Sequence, residues 1–155
     1  MALREIDFEL LETLFAKMNG KVPYKLGGKA KLGDDSNDIE SIDCSGFTRW
    51  ILNRVSGLVI PDGSQNQLQW ARDNCRKLAK YADVEYARND PSRLFMGFLS
   101  PTRDQERKNA QDGRARGRHV WLVWKGRTLE SSGGRGVNSK PWKVYKDGCK
   151  ECFEL

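Results

Sequence analysis

The sequence predicts an α+β fold. Three apolar stripes of helical period fill the first half of the chain, short apolar segments bounded by turn residues fill the second, and Lys125-Gly126 marks a tight hairpin between two of those segments. With 155 residues the chain fits one domain, read here as residues 1–155 with surface insertions near 29–41 and 101–118. Its 38% hydrophobic residues, five Trp and six Phe suffice for one modest core, and the 31% of charged residues indicates a well-solvated surface rather than disorder.

Each element has a local cause. Leu3, Ile6, Leu10, Leu11, Leu14, Phe15 and Met18 recur at helical steps, and Asn19-Gly20 should stop that helix. Residues 20–42 carry Gly20, Pro23, Gly27, Gly28, Gly33 and the polar run from Asp34 to Asp38 without a sustained period, so they read as a long surface loop. Phe47, Trp50, Ile51 and Val55 share one face of a second helix over 44–55, with Asp43 as N-cap and Ser56-Gly57 as its end. Ser64 and Gln67 resemble a capping box that opens a third helix through Leu68, Ala71, Cys75 and Leu78 to about Lys80, which makes Cys75 a buried, inert thiol.

Leu94 to Leu99 reads as a buried strand. Residues 101–118 hold six basic side chains against three acidic ones and read as a solvated polar loop. Val120 to Trp124 and Arg127 to Leu129 then pair across Lys125-Gly126, and Trp142 to Tyr145 supplies a further strand.

Twenty-seven Lys and Arg against 21 Asp and Glu give a net charge of +6, which favours an anionic partner such as nucleic acid, a membrane surface or a wall polymer. No apolar run approaches the ~18 residues of a membrane span. The first residues lack the basic start, apolar block and cleavage site of a secretory signal, so delivery outside the cell is expected through lysis, a virion or an injection system. Of the four Cys, only Cys149 and Cys152 are closely spaced; they read either as ordinary or reversibly paired thiols or as half of a zinc site for which Cys75 and His119 show no diagnostic spacing.

Cys44 opens the second helix, where unpaired N–H groups and the helix dipole favour a thiolate and can hold an oxyanion. A Cys at that position is either a nucleophile or a small buried hydrophobe. A nucleophile needs a base, and His119 is the single His of the chain. With a two-residue turn at Lys125-Gly126, residues 119, 121, 130 and 132 share one strand face, and Glu130 becomes a diagonal neighbour of His119 able to orient it. A three-residue turn would place Ser131 on that face instead and leave Glu130 as a solvated carboxylate.

The sequence Asp43-Cys44-Ser45-Gly46-Phe47, the upstream Tyr24-Lys25-Leu26-Gly27-Gly28, and His119-Val120 followed by Glu130-Ser131-Ser132-Gly133-Gly134 resemble the NlpC superfamily of papain-like cell-wall cysteine peptidases over about residues 6–142. The resemblance implies a papain-like core, with N-terminal helices, one of them carrying the nucleophile at its N-terminus, packed on a central antiparallel sheet. It also implies hydrolysis of peptidoglycan stem peptides, typically at γ-D-glutamyl-diaminopimelate, without metal or cofactor.

Residue by residue, Cys44 matches the nucleophile, His119 the base, and Glu130 the third polar position, where His, Asn or Gln is commoner. Tyr24 matches a residue that assists the oxyanion beside the Cys44 N–H, and Asp43 and Ser45 match positions that contact the stem peptide's amine. Read without the family, Tyr24 is equally a packing aromatic, Asp43 a helix cap and Ser45 a first-turn residue. The pattern departs at Asn89-Asp90-Pro91-Ser92-Arg93, where Pro-Gly-Asp is usual, at Leu26, where an aromatic is usual, and in the length of 29–41 and 101–118.

The expected activity is therefore that of a peptidoglycan hydrolase, a cysteine endopeptidase acting as a monomer on bacterial peptidoglycan, with no nucleic-acid partner. Two rivals stand beside it: a basic nucleic-acid-binding module built on Arg103 to Arg118, and the same fold acting as an acyltransferase.

Overall fold

The computed structural model describes residues 5–78, 89–114, 116–142 and 149–155. Helices α1 (Phe8–Met18), α2 (Cys44–Ser56) and α3 (Ser64–Asn74) come first, followed by strands β1 (Arg76–Lys77) and β2 (Phe95–Leu99), helix α4 (Arg103–Asp112), and strands β3 (His119–Trp124), β4 (Arg127–Ser132), β5 (Gly136–Asn138) and β6 (Cys149–Glu154). The strands form one antiparallel sheet in the order β1-β6-β2-β3-β4-β5. The expected α+β class, with helices packed on an antiparallel sheet, is the one observed.

Helix α2 is the hub because its apolar residues lie on more than one face: Phe47, Trp50, Ile51 and Leu52 are all fully buried. It packs on β3 and β4, with Val120, Leu122 and Leu129 in the same core. Asp43 caps its start by accepting from the Gly46 N–H at 2.7 Å, and Gly57 ends it in the left-handed region, at φ 74°. Helix α1 buries Leu11, Leu14 and Met18, begins at the Asp7 cap and is tied to the end of α2 by the Asp7 N–H on the Val55 carbonyl. The first helix predicted from Leu3 thus starts at Phe8, and residues 1–4 lie outside the described ones.

The long loop 20–42 is held against this hub. Trp50 Nε1 donates to the Asp34 carbonyl at 3.1 Å, Ile42 N–H to Pro23, and Val137 N–H to Val22. A short 3-10 turn, Ser36–Asp38, is its single described piece of regular structure.

Four expectations are corrected. The third helix stops at Asn74, with half-buried Cys75 as its C-cap. Ser64 and Gln67 form no capping box, because the Gln67 side chain is spent on α2. The polar stretch 101–118 is no simple loop: it contains α4, whose Thr102–Gln105 capping box and left-handed Gly113 end mark it clearly. Strand β6, unforeseen, lies between β1 and β2, and its Glu151 and Glu154 are neutralised by Arg72 and Lys77 and by Arg93 and Arg76. The strand expected over Trp142 to Tyr145 lies mostly outside the described residues; within them, Pro141 bridges Arg127 and the Trp142 N–H meets the Gly126 carbonyl.

Candidate active site

The site begins where two glycines meet. A Cβ on Gly46, in the first turn of α2, would come within 2.9 Å of the Gly28 carbonyl oxygen, and that same oxygen accepts the Asp43 N–H at 2.9 Å. A side chain on Gly28 would in turn crowd the Lys25 carbonyl at 2.8 Å. The Gly27-Gly28 and Asp43-Cys44-Ser45-Gly46 segments are thus parts of one close backbone contact, which lays the loop carrying Tyr24 beside Cys44.

The opposite wall comes from the hairpin. Leu122 pairs with Leu129, Val123 with Thr128 and Trp124 with Arg127, across a turn in which Lys125 (φ 52°) and Gly126 (φ 72°) are both left-handed. This is the two-residue register of a type I′ turn. It brings the fully buried Glu130 to the half-buried His119, with Nε2 and Oε1 2.9 Å apart. Ser131 instead points to α2's approach, donating from Oγ to the Ile42 carbonyl at 2.7 Å.

His119 also lies beside Cys44, close enough for the thiol to act on the charge of the ring. With Nε2 engaged by Glu130, Nδ1 is the nitrogen left for the thiol. Burial, the largest single influence, disfavours the charged imidazole, yet the hydrogen bonds and charges of Cys44 and Glu130 together outweigh it and push His119 up to about 9. Burial would also raise the Glu130 carboxyl, but hydrogen bonds to His119 and Thr128, with the charges of His119 and Lys140, hold it below the usual carboxylate range. The arrangement is therefore built to keep an imidazolium between a carboxylate and a thiol.

Tyr24 lies near enough to Cys44 and Asp43 to feel their charges. Burial first, then the charges of Cys44 and Asp43, raise its phenol, so its hydroxyl stays a donor. Asp43 and Ser45 are engaged by a residue the sequence did not single out: Lys29 Nζ lies 2.8 Å from both Asp43 Oδ1 and Ser45 Oγ, and 3.4 Å from Asp62 Oδ1.

Two further residues hold the site. Gln67, fully buried, donates to the Ser45 carbonyl at 2.8 Å and contacts Thr48 Oγ1 at 2.6 Å, fixing α3 against the first turn of α2. Trp121 stacks on the His119 ring, centroids 5.5 Å apart and planes 25° from parallel. Strand alternation put residue 121 on the face of His119, so this neighbour was visible in the pattern. Nothing in the sequence marked Lys29. Among the described residues no three His, Cys, Asp or Glu converge as a metal would require. The Cys149 side chain, and with it any pairing to buried Cys152, lies outside the described ones.

A helix-borne thiol facing an imidazole and a carboxylate on an antiparallel sheet is the architecture of the papain-like class. Within that class the chain belongs to the NlpC/P60 family, whose model matches residues 20–117; its members are generally cysteine peptidases acting on peptidoglycan. Among solved structures, a protein similar to a lipoprotein of the NLP/P60 family from Staphylococcus aureus superposes with a TM-score of 0.59 at 18% identity, covering 95% of this chain. The chain spans only 40% of that staphylococcal protein. The P60 domain of the antigen MAP1204 from M. avium subspecies paratuberculosis gives 0.55 at 20% identity over 95% of this chain and 92% of the other. The NlpC/p60 domain of the peptidoglycan hydrolase SagA gives 0.54 at 17% identity over 94% and 96%. No curated protein sequence is matched. No described helix is long and apolar enough to cross a membrane.

Proposed function

We propose that the protein is a cysteine endopeptidase that cleaves an amide bond of the peptidoglycan stem peptide, the γ-D-glutamyl-diaminopimelate bond being the one expected from its family. The observation that carries this reading is the convergence of Cys44, His119 and Glu130, with the imidazole held between thiol and carboxylate. The Cys44 thiolate attacks the amide carbon, forming a C–S bond while the carbonyl oxygen takes the negative charge. The Cys44 N–H at the helix start and the Tyr24 hydroxyl receive that oxyanion.

The C–N bond then breaks as the His119 imidazolium gives its proton to the departing amine, leaving a thioester on Cys44. Water, deprotonated by the now neutral His119, attacks the thioester; the C–S bond breaks and the acid product leaves. Glu130 keeps the ring in place through both steps and stabilises its charged form. Asp43 and Ser45 belong to this reading as contacts for the substrate's amine, which would have to compete with Lys29.

Purified peptidoglycan incubated with the wild type and with Cys44→Ala, followed by mass spectrometry of the released fragments, tests the reading. Defined muropeptides from the wild type and none from the variant are expected, and the fragment masses name the bond. Release by both, or by neither, overturns it.

A further inference from the structure

Glu130 is a buried charge that one imidazole cannot meet at every stage of a reaction. Its side chain is 1% exposed, and Oε2 has no hydrogen-bond partner among the described residues. Oε1 faces two cations, His119 Nε2 at 2.9 Å and Lys140 Nζ at 3.9 Å. Among the described residues, the charged groups that act on Glu130 are thus His119 of β3 and Lys140 of the segment after β5. Those that act on His119 are Cys44 of α2 and Glu130 itself.

The sheet brings Lys140 there. Glu130 pairs with Asn138 across β4 and β5, so Lys140, two residues further along, is its diagonal neighbour on the same face. Past the end of β5 the chain keeps running beside β4. The Thr128 N–H donates to the Lys140 carbonyl at 2.8 Å, the Lys140 N–H donates to Thr128 Oγ1 at 3.2 Å, and the Trp142 N–H donates to the Gly126 carbonyl at 2.9 Å. Trp142 anchors this segment by packing, fully buried, with Phe95 and Trp121. The Lys140 side chain is 37% exposed, so its ammonium keeps water on one side while it faces the carboxylate on the other.

The two cations differ in permanence. In the resting site the imidazolium meets Glu130. Once the ring has given up its Nδ1 proton it still donates from Nε2, but it carries no charge, and a buried carboxylate without a cation is costly. A neutral side chain at position 130 would face no such stage. Lys140 is the cation that stays.

We propose that Lys140 is a positioning residue that acts through Glu130: its lasting positive charge keeps the carboxylate ionised, and so able to hold the His119 ring, while the imidazole is neutral. Under the hydrolase reading, on which the catalytic part of this assignment rests, that stage is the thioester, where neutral His119 takes a proton from water. Without either cation Glu130 takes up a proton itself, and the acceptor that orients the ring is lost.

Thermal unfolding of the full chain tests the assignment without turnover. Midpoints of the wild type, Lys140→Met and Lys140→Arg are measured at about pH 7, where the imidazolium meets Glu130, and at about pH 9.5, above the His119 value of about 9. The Met variant is expected to unfold close to the wild type at the lower pH and well below it at the higher, with Arg restoring most of the difference. In a Glu130→Gln background that widening should disappear. On peptidoglycan, Lys140→Met should lower kcat about threefold or more with KM unchanged, and its loss should not add to that of Glu130→Gln. A gap between wild type and Met variant that is the same at both pH values, a widening that survives Glu130→Gln, or a failure of Arg to rescue overturns the assignment. A wild type silent on peptidoglycan overturns the hydrolase reading instead, and the unfolding midpoints still decide what Lys140 does to Glu130.

Discussion

Glu130 Oε1 lies 2.9 Å from His119 Nε2, and that carboxylate is fully buried. A buried carboxylate is costly unless its charge is met, so the pair is stable only while the imidazole is protonated or donates to it. Glu130→Gln keeps the shape and a hydrogen bond but removes the charge. The expected outcome is a fall in kcat/KM of about tenfold or more, carried by kcat, with a downward shift of the His119 titration. An unchanged titration, followed by imidazole NMR, would show that Glu130 does not set the charge of the ring.

The His119 value of about 9 gives a pH dependence with a definite sign. A group whose folded pKa lies above its ordinary value of 6.5 contributes stability that is full below 6.5 and lost as pH rises through about 9. Thermal unfolding midpoints should therefore drop between those limits in the wild type more than in His119→Gln. An imidazole that titrates near 6.5 would sink this account.

A second support of His119 is a gap. A Cβ on Gly97, in β2, would overlap the Trp121 indole, which lies across that glycine and stacks on the His119 ring. Gly97→Ala forces the indole to move in a region where Trp121 is fully buried, at an expected cost of about 1–3 kcal/mol. Because the ring it displaces touches His119, kcat should fall more than stability alone explains at a temperature where the variant remains folded. The comparison variant is Val123→Ala, buried with Trp121 in an apolar cluster that also holds Phe95 and Trp142, but without a stack on the imidazole. It should lose stability and keep kcat.

The geometry of this site was legible where local rules govern it. Lys125-Gly126 fixed the hairpin register, the register fixed the face of Glu130, and Asp43 announced the start of α2. What escaped depended on partners distant in sequence. Strand β6 reads as polar because Glu151 and Glu154 are charged, and only Arg76 of β1 and Arg93, converging on it, make a buried Glu154 tolerable, while Arg72 of α3 and Lys77 of β1 meet Glu151. Ser64 and Gln67 matched a capping pattern, but a buried amide that finds two carbonyl oxygens and a hydroxyl gains more there than at a helix end. Helix α4 was hidden by charge: with a single buried residue, Asn109, it presents no apolar stripe to detect.

Lys29 decides what Asp43 and Ser45 can do. Asp43 already accepts from the Gly46 and Gly27 N–H groups and from Lys29 Nζ, and Ser45 Oγ accepts from the same ammonium. A substrate amine reaching these oxygens must displace Lys29, whose side chain is a third exposed, so solvent screening limits what the pair contributes to stability. Lys29→Met should cost about 1 kcal/mol or less in folding and free both acceptors. If the two residues read an amine, kcat/KM for a stem peptide with a free N-terminus should rise severalfold in this variant, while its N-acetylated counterpart gains nothing. Equal change in both peptides would assign Asp43 to capping α2 and Ser45 to its first turn, leaving substrate recognition to other groups.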